Sequence, residues 1–132
     1  MQRLLEAAEQ GDLESFYTIG AFHDTGDLAP LIPEDKHKAS AIFKEAADKG
    51  HAHSMWIHAC ELLWGVGVRD QSIADGSRYL DRAIESGSAA ACISKARLLS
   101  TGELGFNLDL AEAARLRERA KRLDDSVVDP FV

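Results

Sequence analysis

One six-residue motif occurs three times in the chain: EAAEQG at residues 6–11, EAADKG at residues 45–50 and RAIESG at residues 82–87. Each copy ends in glycine, and a further glycine follows fifteen residues later in every case. The copies are 39 and then 37 residues apart, and the two additional residues of the first interval fall in the loop that holds Pro30 and Pro33. A regular period with its length variation confined to one loop predicts a repeat architecture.

Between the glycines the apolar residues follow a helical period. Counted from the first glycine of each repeat, apolar or small residues recur at +2, +5, +6, +9 and +12. At about 100° per residue these positions share one arc, about 120° wide, as on a helix with one buried face. In the second repeat they are Ala52, Met55, Trp56, Ala59 and Leu62. The corresponding His23 of the first repeat fits this arc poorly.

A second helix follows in each repeat, with columns spaced 37 residues apart. Its inward positions are Ala39, Ile42, Phe43 and Ala46, then Gly76, Tyr79, Leu80 and Ala83, then Ala113, Leu116, Arg117 and Ala120. Alanine in the last column allows paired helices to approach closely. Arg117 and Lys121 enter columns that are otherwise apolar, which indicates a capping helix whose outer face meets water.

The predicted fold is therefore all-α. We expect a half-helix at 2–10 and then three helix pairs, 12–25 with 35–49, 51–64 with 72–86, and 88–101 with 109–123. Each pair buries its inner face only by stacking on its neighbours, which describes an α/α solenoid. The expected organisation is one domain over 1–132, wound as a right-handed superhelix, with repeats at about 11–49, 50–86 and 87–123 and a tail at 124–132.

The residues of these repeats resemble the Sel1-like repeat family, relatives of the tetratricopeptide repeat. Ile19-Gly20 and Lys38-Ala39 stand at its Leu-Gly and Lys-Ala positions, Glu45–Gly50 at its repeat end, and Gly65-Val66-Gly67-Val68 at its loop between helices. The third repeat departs from the pattern, with Gly102–Phe106 in place of the glycine-rich loop. The resemblance implies a scaffold that binds proteins, and it transfers no catalytic residues.

Composition excludes several other classes. The 132 residues carry a net charge of −7, and residues 1–35 hold one base against eight acids. An acidic chain is a poor non-specific ligand for nucleic acid, and no apolar run is long enough to span a bilayer. Cys60 and Cys92 lie on different faces of neighbouring repeats, too far apart for a disulfide. Reduced thiols and the absence of a signal-like start predict a cytoplasmic protein.

No local pattern predicts catalysis or a bound cofactor. His51, His53 and His58 lack the i, i+4 spacing by which one helix places two histidines on a zinc ion. Gly65–Val68 follows a predicted helix and is not followed by the lysine of a phosphate-binding loop. We therefore expect neither metal nor cofactor, and we expect no enzyme; a metal-dependent hydrolase built on these histidines is the remote alternative.

The outward columns of the first helices predict a binding surface. In solenoids of this kind the first helices line the concave side. The candidate residues are Glu14, Thr18, His53, Ile57, Cys60, Trp64, Arg97 and Thr101. Ile57 and Trp64 would anchor a partner, His53 and Arg97 would supply polar contacts, and Glu14 would bias partner choice. The alternative is that these side chains pack against an adjacent first helix.

Two further segments have open interpretations. The basic run around Arg115–Arg122 is either a solvated cap or a dock for an acidic partner. The apolar tail at 127–132 either folds back over the last pair or is captured by another groove. The function predicted overall is non-catalytic binding of another protein, with a toxin-neutralising immunity protein or inhibitor as the alternative; the oligomeric state is left open.

Overall fold

A computed structural model describes residues 1–125, and within that range the chain is helical, with no strand. The helices are α1 (Gln2–Glu9), α2 (Leu13–Thr25), α3 (Lys36–Asp48), α4 (Ala52–Trp64), α5 (Ile73–Glu85), α6 (Ala89–Thr101) and α7 (Leu110–Leu123). Every predicted boundary agrees to within one residue. The helices pair as α2 with α3, α4 with α5 and α6 with α7, and each pair packs on the next. The predicted all-α solenoid is confirmed.

Side chains at the helix starts explain why the boundaries fall where they do. Asp35, Ser72, Ser88 and Asp109 each accept a hydrogen bond from the backbone N–H three residues later, which satisfies a donor that the helix leaves free. His51 does the same for α4, because its Nδ1 accepts from Ser54 N at 3.2 Å. These caps separate each repeat from the one before it.

The second helices pack through the columns that the sequence predicts. Ala46 and Ala83 are completely buried, and Ala120 is nearly so. Close approach also depends on glycine within the helices: a Cβ added to Gly76 of α5 would lie 2.7 Å from Leu63 Cγ of α4. The buried core therefore consists largely of alanines, together with larger apolar side chains such as Leu80.

The loop after α6 shares one left-handed position with the equivalent loop after α4. Gly67 has φ +69°, and Leu104, 37 residues later, has φ +56° in the same left-handed region. This conformation is unfavourable for a residue with a Cβ. The leucine side chain packs against the core, which offsets that cost.

Two residues differ from their predicted surroundings. His23, the poor fit to the arc, is buried because its Nδ1–H donates to the Pro33 carbonyl at 2.9 Å, so its polar atom is satisfied. On the capping helix Lys121 is exposed as predicted, but Arg117 is half-buried and donates to Ser100 Oγ at 3.1 Å. The tail at 127–132 lies outside the described residues.

Candidate interaction surface

The first-helix surface is defined by the eight candidate residues on α2, α4 and α6, and the structure gives them unequal exposure. Glu14, His53 and Thr101 are exposed. The other five are half-buried: Thr18, Ile57, Cys60, Trp64 and Arg97. Trp64 packs in part against the hydrophobic core, so its ring is only partly available to a partner.

Glu14 joins the first two repeats. His51 Nδ1 accepts from Ser54 N, which leaves the proton on Nε2, and that N–H donates to Glu14 Oε2 at 2.6 Å. Thr18 Oγ1 donates to the Glu14 carbonyl at 2.8 Å within the same helix. The Glu14 carboxylate is thus engaged inside the molecule as well as exposed.

A row of rings crosses from α2 to α4. Tyr17 lies edge-on to His53 with ring centroids 5.1 Å apart, and His53 lies 5.3 Å from Trp56. Burial between these rings, with the neighbouring His51, lowers the pKa of His53. His53 is therefore the exposed member of an aromatic row and carries little positive charge at neutral pH.

The contact continues from α4 to α6. Trp56 Nε1–H donates to Ser94 Oγ at 2.9 Å. Cys60 also interacts with Ser94, and burial raises the pKa of the Cys60 thiol to about 11, so the sulfur is protonated and unreactive at neutral pH. At Trp56 and Cys60 the adjacent first helices α4 and α6 therefore contact each other.

Arg97 and Thr101 form a polar group at the far end of the surface. Arg97 makes two parallel hydrogen bonds to the Glu103 carboxylate, at 2.9 and 3.2 Å. This pairing lowers the pKa of Glu103. Thr101 Oγ1 donates to the Arg97 carbonyl at 3.0 Å. The guanidinium is held in a fixed orientation, which reduces the entropy lost when it binds a partner.

Three residues of this contact, Tyr17, Trp56 and Ser94, are not among the candidate residues predicted from sequence. Tyr17 and Trp56 stand at +6 of successive repeats and were assigned to the buried arc, yet both are half-exposed and contact the next first helix. Their repeated aromatic character at one column was the signal that could have identified them.

The three histidines of the second repeat occupy different environments. His51 caps α4, His53 belongs to the aromatic row, and His58 is buried with its ring edge-on to Tyr79. Among the residues described, no three His, Cys, Asp or Glu side chains are grouped to hold a metal ion. Cys60 and Cys92 are both free thiols. Within residues 1–125 no helix has the length and apolar character needed to cross a bilayer.

Comparison with solved structures assigns the architecture to a known class of α/α repeat solenoid. The crystal structure of a Sel1 repeat protein from Oxalobacter formigenes is similar over 87% of this chain and 45% of that one, with a TM-score of 0.76 and 24% identity. The crystal structure of c5321, a protective antigen present in uropathogenic Escherichia coli strains, displays an SLR fold and matches 92% of this chain and 25% of that one, with a TM-score of 0.75 and 22% identity.

The fold is therefore that of the Sel1-like repeats, as the sequence resemblance implied. The chain spans less than half the length of either solved protein. No protein-family model matches the sequence, and no curated protein matches it.

Proposed function

We propose that the chain is a non-catalytic module that binds another protein on its first-helix surface. One observation carries the proposal: the aromatic row of Tyr17, His53 and Trp56 is partly exposed. The same helix, α4, also carries the half-buried Ile57 and Trp64. Aromatic anchors surrounded by polar groups are the composition of binding hot spots. The Sel1-like repeat fold, an interaction scaffold in general, supports the same function.

The packing of the row favours binding because its side chains are already ordered. Trp56 is fixed by its bond to Ser94, and His53 is held between two rings. A partner that covers these groups loses little side-chain entropy, so more of the buried apolar area contributes to affinity. The half-burial of Trp64 gives it the same preorganised character.

The polar ends of the surface would set orientation. Glu14 lies at the α2 end and Arg97 at the α6 end, and each is held by an internal partner. A partner segment with opposite charges at its two ends would align along the surface. The contribution of these charges should appear mainly in the association rate and its dependence on salt.

Trp64→Ala tests the site. We expect a loss of about 2 kcal/mol or more of affinity for the partner recovered from native lysate, with helical circular dichroism retained. The matched control is Leu108→Ala, because Leu108 is an apolar side chain that is 66% exposed and lies outside the first-helix surface. If Trp64→Ala lowers the melting temperature strongly and leaves binding unchanged, Trp64 is a core residue and the site is wrong.

An inhibitor that neutralises a cognate toxin enzyme is the second candidate, favoured by the acidic excess of residues 1–35. Such an acidic end would accelerate association with a basic enzyme. The test is inhibition of the enzyme encoded by a neighbouring gene, measured at low and high salt. An adaptor would bind the enzyme without inhibiting it.

The free thiols of Cys60 and Cys92 support action in the reducing cytoplasm.

A further inference from the structure

An apolar groove lies at the N-terminal end of the solenoid, away from the first-helix surface. It has a volume of about 540 Å³ and is bounded by α1, α2, α3 and the loop between α2 and α3. The lining is mostly apolar and includes Met1, Leu5, Phe16, Ile19, Leu31 and Ile42; its polar members are Glu9, His23 and Lys38. Leu31 is 68% exposed and Leu5 is 40% exposed, so water meets a substantial apolar surface here.

The next repeat shows what fills the same place one period later. The residues equivalent to Glu9, Ile19 and Ile42 are Asp48, His58 and Tyr79. The Tyr79 ring lies edge-on to His58 with centroids 4.5 Å apart, and its hydroxyl donates to Asp48 Oδ1 at 2.6 Å. In the middle repeat the Tyr79 side chain of α5 therefore reaches α3 and donates a hydrogen bond to a carboxylate there.

At the N-terminal end the same geometry lacks its ring. Ile42 lines the groove at the position that Tyr79 holds in the middle repeat, and Glu9 lines it at the position of Asp48. The loop between α2 and α3, two residues longer than its equivalent, adds a wall through Leu31 and Ile32. The groove thus has the acceptor and the apolar walls of a tyrosine site without the tyrosine.

The charge around the groove indicates what should flank that ring. Residues 1–35 carry eight acids and one base, and Glu6 and Glu9 are exposed on α1. By contrast, residues 36–132 have equal numbers of acids and bases. Lys38 lines the groove on its α3 side, so positive side chains beside the tyrosine would meet the negative charge on the α1 side.

We infer that the N-terminal groove binds a peptide segment that carries a tyrosine between basic residues. The ring occupies the space above Ile19 and Ile42, and its hydroxyl donates to the Glu9 carboxylate, as Tyr79 donates to Asp48. This site is separate from the first-helix surface and does not depend on it.

The first test is an NMR titration of the full chain with the synthetic peptide acetyl-Lys-Leu-Tyr-Leu-Lys-amide. We expect saturable shifts at the amides of Ile19, Leu31 and Ile42. Replacing the peptide tyrosine by alanine should weaken binding at least about tenfold because the ring area is lost. Replacing both lysines by glutamate should weaken it severalfold, because the glutamates would face Glu6 and Glu9. No shift at these amides, or equal binding of the tyrosine and alanine peptides, would overturn the inference.

The second test fills the groove from within. Ile42→Tyr copies the middle repeat and should reduce peptide affinity at least about tenfold while the melting temperature is maintained; Ile42→Val, which leaves the groove open, should bind as the parent does. If Ile42→Tyr fails to fold, Leu31→Ser tests the exposed wall and should weaken binding severalfold. Peptide binding that persists in the folded Ile42→Tyr protein, or in Leu31→Ser at full strength, contradicts the site.

Trp64→Ala distinguishes this site from the proposed function. It should leave the peptide titration unchanged while it weakens the partner bound on the first-helix surface. A loss of peptide binding in Trp64→Ala would place the peptide on the wrong surface.

Discussion

Two junctions of the solenoid are formed by helices at equivalent positions of the repeat and have different contents. In the middle junction, between α3, α4 and α5, Tyr79 fills the space over His58 and bonds to Asp48. In the N-terminal junction, between α1, α2 and α3, Ile42 leaves an open groove. The repeat thus fixes where the helices lie, whereas a few side chains per junction decide whether the space between them is core or a binding site.

The middle junction, which Tyr79 closes, buries an ionisable side chain, whereas the N-terminal junction, which is open, has isoleucine at the equivalent position. His58 is buried, its Nδ1 has no hydrogen-bond partner, and burial lowers its pKa to about 4. Arg69 and Lys44 lower that pKa further, while Asp48 and Asp75 act in the opposite direction. In the N-terminal junction the residue equivalent to His58 is Ile19, which has no ionisable group.

The largest expected effect is on the pH dependence of stability. Between pH 6.5 and about 4 the unfolded chain protonates His58 and the folded chain does not, so the free energy of unfolding falls by about 3 kcal/mol as the pH drops through this window. His58→Ile, copied from the N-terminal junction, should remove that fall. Urea unfolding at pH 7, 5.5 and 4 measures it.

His37→Ile is the matched control for this change, because His37 is exposed on α3. It should keep the parental dependence on pH. If His58→Ile and His37→Ile behave alike, His58 does not control stability in this range.

Opening the middle junction should have the next largest effect. Tyr79→Ile removes the ring contact with His58 and the hydrogen bond to Asp48, and we expect it to lower the free energy of unfolding by about 2 kcal/mol at pH 7. The reciprocal Ile42→Tyr should show no comparable loss. Thermal and urea unfolding of both variants give the measurement, and equal destabilisation of the two would refute the equivalence of the junctions.

Tyr79→Phe isolates the hydroxyl. The ring remains on His58 while the 2.6 Å bond to Asp48 is lost, and the expected cost is about 1 kcal/mol. Because hydrogen bonds from Lys44 and Tyr79 lower the pKa of Asp48, the variant should also raise that pKa, observable by NMR titration of the carboxyl group. An unchanged Asp48 pKa would mean that the hydroxyl does not bond to it in solution.

The smallest effect concerns the charge on Asp48. Its ion pair with Lys44 at 2.8 Å is partly exposed, so Asp48→Asn should cost about 0.5 kcal/mol in low salt and less in high salt. Because the pKa of Asp48 is lowered in the folded protein, its carboxylate contributes to the free energy of unfolding well above pH 4. That contribution is lost as the pH falls through the pKa that Asp48 has in the folded protein. Glu9→Gln in the open junction is the control and should leave stability nearly unchanged in urea unfolding.

The second helices could be predicted from sequence because one column of small residues recurs every 37 residues. Ala46, Ala83 and Ala120 occupy that column, and all three are buried. The helix boundaries followed for the same reason, since caps and glycines recur with the columns.

The first-helix surface was harder to predict because a first helix packs on three sides. A helical wheel assigns one buried arc, yet α4 contacts its own second helix, the preceding second helix and the next first helix. Trp56 was therefore placed in the core although it reaches across to Ser94. His51, considered as a metal ligand, stands at the capping position that Asp12 and Ser88 hold in the other repeats.

The groove could not be predicted from the columns at all. Ile42 and Tyr79 are both apolar at the same position, and only the length of the side chain separates an open space from a filled one. The size of this one side chain, which a hydrophobic pattern does not record, determines whether the junction is open or filled.

Leu104 shows that a left-handed backbone position can be kept when its glycine is replaced. At this position a residue without a side chain would adopt the backbone angles freely, and the leucine keeps them because the two flanking helices fix the ends of the loop. The same tolerance holds across the whole molecule, because its backbone keeps the fold of a solved Sel1 repeat protein with which it shares 24% of its residues.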